Sequence, residues 1–80
     1  MDRKVMKFEK GNHVVIVSNS VCYAPAELIG HEGVIVELLN GRVSQSPIIE
    51  YKKKYEVIFP GQPATLSGRW IFDERELIDA

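Results

Sequence analysis

Few residues in this 80-residue chain have the types and spacing that catalysis requires. Cys22 is a potential nucleophile, but no lysine, arginine or histidine lies near it in the sequence to lower the pKa of its thiol. Ser18 or Ser20 could be a nucleophile with His13 as its base, but these residues match no recognisable catalytic motif. We therefore predict that the protein is not an enzyme.

The two histidines are the next candidates for chemistry. His13 and His31 would share a metal only if the fold brought them together and added a carboxylate such as Glu32. Histidines without close spacing are more often solvated or hydrogen-bonded, and we favour that interpretation. The single Cys22 makes neither an internal disulfide nor a multi-cysteine zinc site. We expect no metal and no cofactor.

The most concentrated charge run is Lys52, Lys53 and Lys54, flanked by Tyr51 and Tyr55. Basic residues between aromatic rings can hold a phosphate backbone while the rings stack on bases. The run is also typical of the solvated start of a strand, where lysine prevents pairing at an edge, and we favour this second interpretation. Because side chains alternate along a strand, Lys52 and Lys54 are predicted to point away from Lys53, so that the three ammonium groups do not form one flat patch.

Charge and composition limit the classes of partner. The chain has 10 basic and 11 acidic residues, a net charge of -1, and 45% hydrophobic residues, so no overall field favours nucleic acid or anionic lipid. It shows neither a signal-peptide pattern nor an apolar run long enough to span a membrane, and we expect a cytoplasmic location. The acidic residues Asp73, Glu74 and Glu76, with Arg75 among them, are predicted to form a solvent-facing turn.

Apolar periodicity predicts five short strands in a single domain covering residues 1–80. The predicted strands are residues 14–17, 34–39, 54–59, 69–72 and 77–78. The first is a β-branched run without alternation, which is typical of a strand buried on both faces. The predicted core consists of Val14, Ile16, Val34, Val36, Tyr55, Val57, Phe59, Trp70, Phe72 and Leu77.

Glycine and proline divide the rest of the chain. Residues 18–30 are predicted to be a long loop, in which Pro25 and Gly30 bracket a single helical turn. Asn40-Gly41 is a strong turn signal, and the polar, proline-broken residues after it predict an extended loop through residue 53, with a strand-like edge at Ile48-Ile49 as an alternative. Gly33 begins a strand, where close approach of another backbone or a positive φ requires the missing Cβ.

Five short strands with one long early loop indicate a small, partly open barrel of the SH3-like type, with a one-turn helical step before the last strand. Lys10-Gly11, the apolar run at 14–17 and the residues Gly-His-Glu-Gly-Val at 30–34 resemble the opening of a KOW-type domain. The spacing of residues 55–61, 70–72 and 76–77 is similar to the E-type reaction-centre proteins of photosystem I and to nitrogen-fixation Z-type proteins. The resemblance covers residues 8–79. It implies an SH3-like fold.

Two functional classes follow, and the near-neutral charge favours the first. This is a non-catalytic protein-protein interaction module or small accessory subunit that binds a larger complex through its loops and barrel edge. It would be a monomer in isolation and would not insert into a membrane. Its predicted partner-binding residues are Tyr23, Arg42, Ile48 and Tyr51.

The alternative is the nucleic-acid function that the KOW resemblance implies. Such an accessory protein would bind RNA, DNA or the transcription and translation machinery. Where a KOW module carries basic residues beside its first glycine, this chain has Asn12-His13, which weakens that implication. The residues that would contact nucleic acid are Arg42, Tyr51, Lys52, Lys53 and Lys54.

Overall fold

The computed structural model describes residues 6–41, 43–45 and 48–80, and for 43–45 and 48–49 it describes the backbone alone. These residues form strands and three-residue 3-10 helices, and they contain no α-helix. The strands are β1 (His13–Ile16), β2 (Glu32–Leu39), β3 (Val43–Gln45), β4 (Ile48–Glu50), β5 (Lys54–Ile58), β6 (Arg69–Asp73) and β7 (Leu77–Asp79). The 3-10 helices are Ala26–Leu28, Ala64–Leu66 and Glu74–Glu76.

Five of the strands form one antiparallel sheet in the order β6-β5-β2-β1-β7. The sheet is not closed, because β6 and β7 each pair on one side only within the described part of the chain. The 3-10 helix Glu74–Glu76 joins these two edge strands. The predicted all-β class, with five strands and a one-turn step before the last of them, is confirmed.

A separate hairpin lies in the segment predicted to be an extended loop. Strands β3 and β4 pair antiparallel, with Gln45 opposite Ile48. Gly41 has a φ of +84°, and its N–H donates to the carbonyl of Tyr51, which closes the base of the hairpin. The prediction of a loop without a regular strand was therefore wrong at 43–45, whereas the alternative of a strand at Ile48-Ile49 is confirmed.

The core lies on one side of the sheet and is completed by residues outside the strands. The buried apolar residues are Phe8, Val14, Ile16, Ala24, Leu28, Ile35, Leu39, Tyr55, Val57, Phe59, Phe72 and Leu77. Phe8, Ala24 and Leu28 were missed, because no strand periodicity marks them. Trp70 is half-buried and packs against the core, with its indole N–H donating to the carbonyl of Leu66.

Strand β2 presents the opposite face to the one predicted. Gly33 and Ile35 are buried, whereas Val34 and Val36 are half-buried. Apolar residues occupy both faces of this strand, so the two-residue period alone does not decide which face is buried.

The prediction that β1 is buried on both faces was also wrong, because its two faces differ in burial. Val14 and Ile16 are buried, Val15 is half-buried, and Val17 just beyond the strand is 44% exposed. The strand therefore has one core face and one outer face, although its sequence does not alternate in polarity.

Gly33 provides a direct test of this packing. A Cβ at Gly33 would lie 2.5 Å from Val57 Cγ1, 2.8 Å from Phe59 Cε2 and 2.9 Å from the Ile58 carbonyl oxygen. Because the carbonyl cannot move without disturbing β5, we expect Gly33→Ala to lower the free energy of unfolding by about 1 to 3 kcal/mol. Urea denaturation measures the change. Gly68→Ala is the control, since nothing lies within 4 Å of its Cβ position, and an equal loss in both variants would contradict the packing.

Candidate functional site

The step between β6 and β7, residues 73–76, consists of the last residue of β6 and the 3-10 helix after it, and it connects several parts of the chain. Asp73 caps the 3-10 helix Glu74–Glu76 by accepting from the N–H of Arg75 at 2.9 Å, and Glu76 Oε1 accepts from the N–H of Asp73 at 2.9 Å. These reciprocal bonds are a capping box. Asp73 is 5% exposed and Glu76 1% exposed, so the prediction of a wholly solvent-facing acidic turn was wrong.

The second oxygen of Glu76 holds the first long loop. Oε2 accepts from the N–H of Val21 at 2.8 Å and from the N–H of Cys22 at 3.3 Å. A buried carboxylate is strongly destabilising unless donors surround it, and here three backbone N–H groups do so. The loop is therefore attached to the step between β6 and β7 by a buried charged group.

Glu74 makes a different attachment, to the segment before β1. Its Oε2 accepts from the Tyr55 hydroxyl at 2.6 Å and from the N–H of Lys7 at 2.8 Å. The Tyr55 oxygen in turn accepts from the N–H groups of Lys7 and Phe8 at 3.0 and 3.1 Å. Burial and the hydrogen bond to Glu74 raise the pKa of Tyr55 to about 12. This network places Phe8 in the core.

Asp73 lies between two cations. Its Oδ1 accepts from Lys54 Nζ at 2.9 Å, and its Oδ2 accepts from Arg75 Nε at 2.8 Å. Burial by itself would raise the pKa of the Asp73 carboxyl. The hydrogen bonds from the side chain and backbone of Arg75 and from Lys54 outweigh burial and hold that pKa well below its usual range.

Tyr23, in the loop that Glu76 binds, is both exposed and strained. Its side chain is 81% exposed, and its backbone has a φ of +59°, a left-handed conformation that bulky residues rarely adopt. The N–H of Tyr23 donates to the carbonyl of Asn19 at 2.9 Å, and Asn19 Nδ2 donates to the carbonyl of Ala24 at 2.7 Å. The strained residue is thus bonded on both sides.

Cys22, beside Tyr23, is half-buried. Burial and the neighbouring Glu76 carboxylate raise the pKa of its thiol. Because the thiolate is the nucleophile, this environment makes Cys22 less reactive than a free cysteine.

A basic depression of about 520 Å³ is lined in part by residues of the step. Its lining residues are Asn40, Lys52, Lys53, Lys54, Asp73, Glu74 and Arg75. All three lysines line this depression, although strand alternation predicted that Lys52 and Lys54 point away from Lys53. Strand β5 begins only at Lys54, and Lys53 has a left-handed φ of +51°. Both features break the alternation of side chains that a strand would impose.

The candidate metal residues lie in two separate contacts. His13 Nδ1 is 2.6 Å from Glu32 Oε2, on paired strands, whereas His31 Nδ1 is 3.4 Å from Gln62 Nε2. Among the described residues, no group of three or more histidine, cysteine, aspartate and glutamate side chains is arranged to hold a metal ion. Ser18 Oγ, a candidate nucleophile, lies 3.0 Å from Ser20 Oγ.

The remaining predicted binding residues are placed less fully. Arg42 lies outside the described residues, and for Ile48 the structure gives only its backbone position in β4. Tyr51 is half-buried and follows β4. Sequence reasoning missed Arg75, Asp73 and Asn40 as parts of the basic depression. The spacing Asp-x-x-Glu at 73–76 is a capping-box pattern and was the available signal for a structured step.

Comparison with known proteins gives no relative for this arrangement: no family model, curated protein or solved structure matches the chain. The resemblance to KOW-type domains, to the E-type proteins of photosystem I and to nitrogen-fixation Z-type proteins stays a prediction. Within the residues that the structure describes, no helix is long and apolar enough to cross a membrane.

The ion pairs of Asp73 predict how stability depends on pH. A carboxyl whose pKa is lowered by folding stabilises the native state above its unfolded pKa of about 3.9, and that contribution is lost as pH falls toward the folded value. We expect Asp73→Asn to lower the free energy of unfolding by about 2 kcal/mol or more at pH 7 and by much less at pH 2. Urea denaturation at both pH values measures this. Exposed Asp79→Asn is the control, and an equal loss at both pH values for Asp73→Asn would contradict the assignment.

Proposed function

We propose that the protein is a non-catalytic protein-binding module, a small accessory subunit that recognises a larger protein through the loop carrying Tyr23. A cytoplasmic SH3-like domain that is monomeric in isolation is the form we propose for it. The observation that supports this function most directly is Tyr23 itself, an 81% exposed ring on a left-handed backbone.

The conformation of Tyr23 is costly to the free protein. A left-handed backbone at a residue other than glycine costs about 1 to 3 kcal/mol and persists only where surrounding structure enforces it. The Glu76 carboxylate and the bonds of Asn19 provide that enforcement. Since the ring itself is largely in solvent, its burial does not compensate for the strain. Strain of this kind is characteristic of functional sites.

A rigidly presented tyrosine suits a protein interface. Tyrosine is enriched among residues that dominate binding energy, and holding it in place before contact removes part of the entropic cost of association. The sheet also has exposed apolar side chains: Ile78, opposite Val15 in the β1–β7 pair, is 48% exposed, and Val17, just beyond β1, is 44% exposed. By the two-residue period, Val15, Val17 and Ile78 share the outer face of the sheet.

One observation favours nucleic-acid binding as a second candidate. Lys52, Lys53 and Lys54 line one depression together with Arg75, as a site for phosphate would require. Against it, Lys54 and Arg75 already bind Asp73. This candidate predicts octauridylate binding that weakens steeply with salt and is abolished by changing the three lysines to glutamine. Salt-independent or absent binding would reject it.

The protein-binding proposal is tested by removing the ring while keeping the backbone. Asparagine tolerates the left-handed region better than tyrosine, so we expect Tyr23→Asn to leave the melting temperature unchanged or raised. Recognition should weaken by about 2 kcal/mol or more, which is about thirtyfold. Affinity capture from an extract of the source organism, followed by titration of the captured protein, measures the loss.

Tyr23→Phe is the matched control, since it keeps the ring and loses only the hydroxyl. It should capture the same protein with nearly the parent affinity. Capture by the asparagine variant at the strength of the parent would show that the ring is no anchor, and would reject the proposal.

A further inference from the structure

The side chains that line the basic depression carry more positive than negative charge. Its lining includes four cationic side chains, Lys52, Lys53, Lys54 and Arg75, and two anionic ones, Asp73 and Glu74. The excess is therefore two positive charges. Which of these hydrogen-bonding groups are already paired decides what kind of ligand the depression can bind.

The carboxylates of the depression are already used. Asp73 accepts at both oxygens, from Lys54 on one and from the side chain and N–H of Arg75 on the other. Glu74 Oε2 accepts from Tyr55 and Lys7. The depression therefore offers a ligand little acceptor capacity at the Asp73 carboxylate or at this oxygen of Glu74.

The donors, in contrast, are largely unused. Lys52 and Lys53 are exposed, and neither ammonium group has an ion pair with another described residue. Arg75 uses Nε for Asp73, its side chain is 76% exposed, and its two terminal nitrogens donate no bond to a described residue. A guanidinium fork of this kind binds carboxylates or phosphates in a defined geometry.

The backbone around these donors is ordered before any ligand arrives. The N–H of Lys53 donates to Asn40 Oδ1 at 3.1 Å, and the carbonyl of Lys53 accepts from the N–H of Glu74 at 3.0 Å. The carbonyl of Lys52 accepts from Lys54 Nζ at 2.9 Å. These bonds hold Lys53 in its left-handed conformation, and Lys52, Lys53 and Arg75 line the same depression.

We propose that this depression binds the carboxylates of an acidic segment in the partner protein. The inference rests on the proposed protein-binding function and specifies the chemistry of the partner. Arg75 lies in the step that also carries Glu76, which holds Val21 and Cys22 beside Tyr23. The aromatic anchor and the carboxylate site are thus both connected to residues 73–76 of the step.

A carboxylate-bearing peptide fits these charges better than a nucleic-acid strand does. Binding a phosphate backbone requires several contacts along an extended basic face. Here Lys52, Lys53 and Arg75 line one depression of about 520 Å³, the chain has a net charge of -1, and Asp73 and Glu74 line the same depression. One or two carboxylates match an excess of two charges.

The test is a titration of the 15N-labelled protein with hexaglutamate at low salt, followed by amide chemical shifts. We expect the shifts to concentrate at Lys52, Lys53 and Arg75. The double variant Lys52→Gln, Lys53→Gln should bind the peptide about fivefold or more weakly, because each exposed charge contact contributes modestly. The charge-matched control Lys7→Gln, Lys10→Gln should bind like the parent, since both lysines lie outside the depression.

Three outcomes overturn the inference: no shifts at the depression with millimolar hexaglutamate, equal weakening in the charge-matched control, or tighter binding of octauridylate at the same residues. Each leaves the Tyr23 capture experiment unaffected, so failure of the carboxylate site is distinguished from failure of the protein-binding function. Loss of capture dependence on Tyr23 with peptide binding intact would instead reject the proposed function.

Discussion

The buried carboxylate of Glu76 is the constraint on which this end of the molecule depends. A charge that is 1% exposed requires donors from the protein itself, and Glu76 takes them from the N–H groups of Asp73, Val21 and Cys22. One donor belongs to the end of β6 and the other two to the first long loop. Satisfying this single charge therefore determines both the turn between the edge strands and the position of the loop.

Asp73 and Glu74, in the same step, bind other parts of the chain. Asp73 binds Lys54 and Arg75, and Glu74 connects Tyr55 with the segment before β1. A domain of this size buries a limited fraction of its surface, and the hydrogen-bonded carboxylates add to the connections that Phe8 and Ala24 make through the apolar core. As a consequence, Asp73, Glu74 and Arg75 both stabilise the fold and line the candidate site. For this reason substitutions at Lys52, Lys53 and Tyr23 separate binding from folding better than substitutions in the step itself.

The sequence predicted the elements of the sheet better than their faces or the candidate site. Apolar runs and period-two patterns located five strands, but β2 carries apolar residues on both faces. The close approach of Val57 and Phe59 to Gly33 marks the buried face. The acidic step was misjudged because charged residues are usually exposed, although its capping-box spacing was visible. The left-handed backbones of Tyr23 and Lys53 were not predictable, since both residue types disfavour that region.

Those two unpredictable positions share a feature that bears on function. They are the only residues other than glycine with a positive φ in the described part of the chain, and both have exposed side chains. Strain in a core is offset by the packing that it permits, but an exposed lysine and an exposed tyrosine gain little burial in return. Both lie next to the step between β6 and β7. The carbonyl of Lys53 accepts from the N–H of Glu74, and Tyr23 follows Cys22, whose N–H donates to Glu76. Local conflict between sequence preference and structure is expected at functional sites, and its confinement to this end of the sheet supports recognition there.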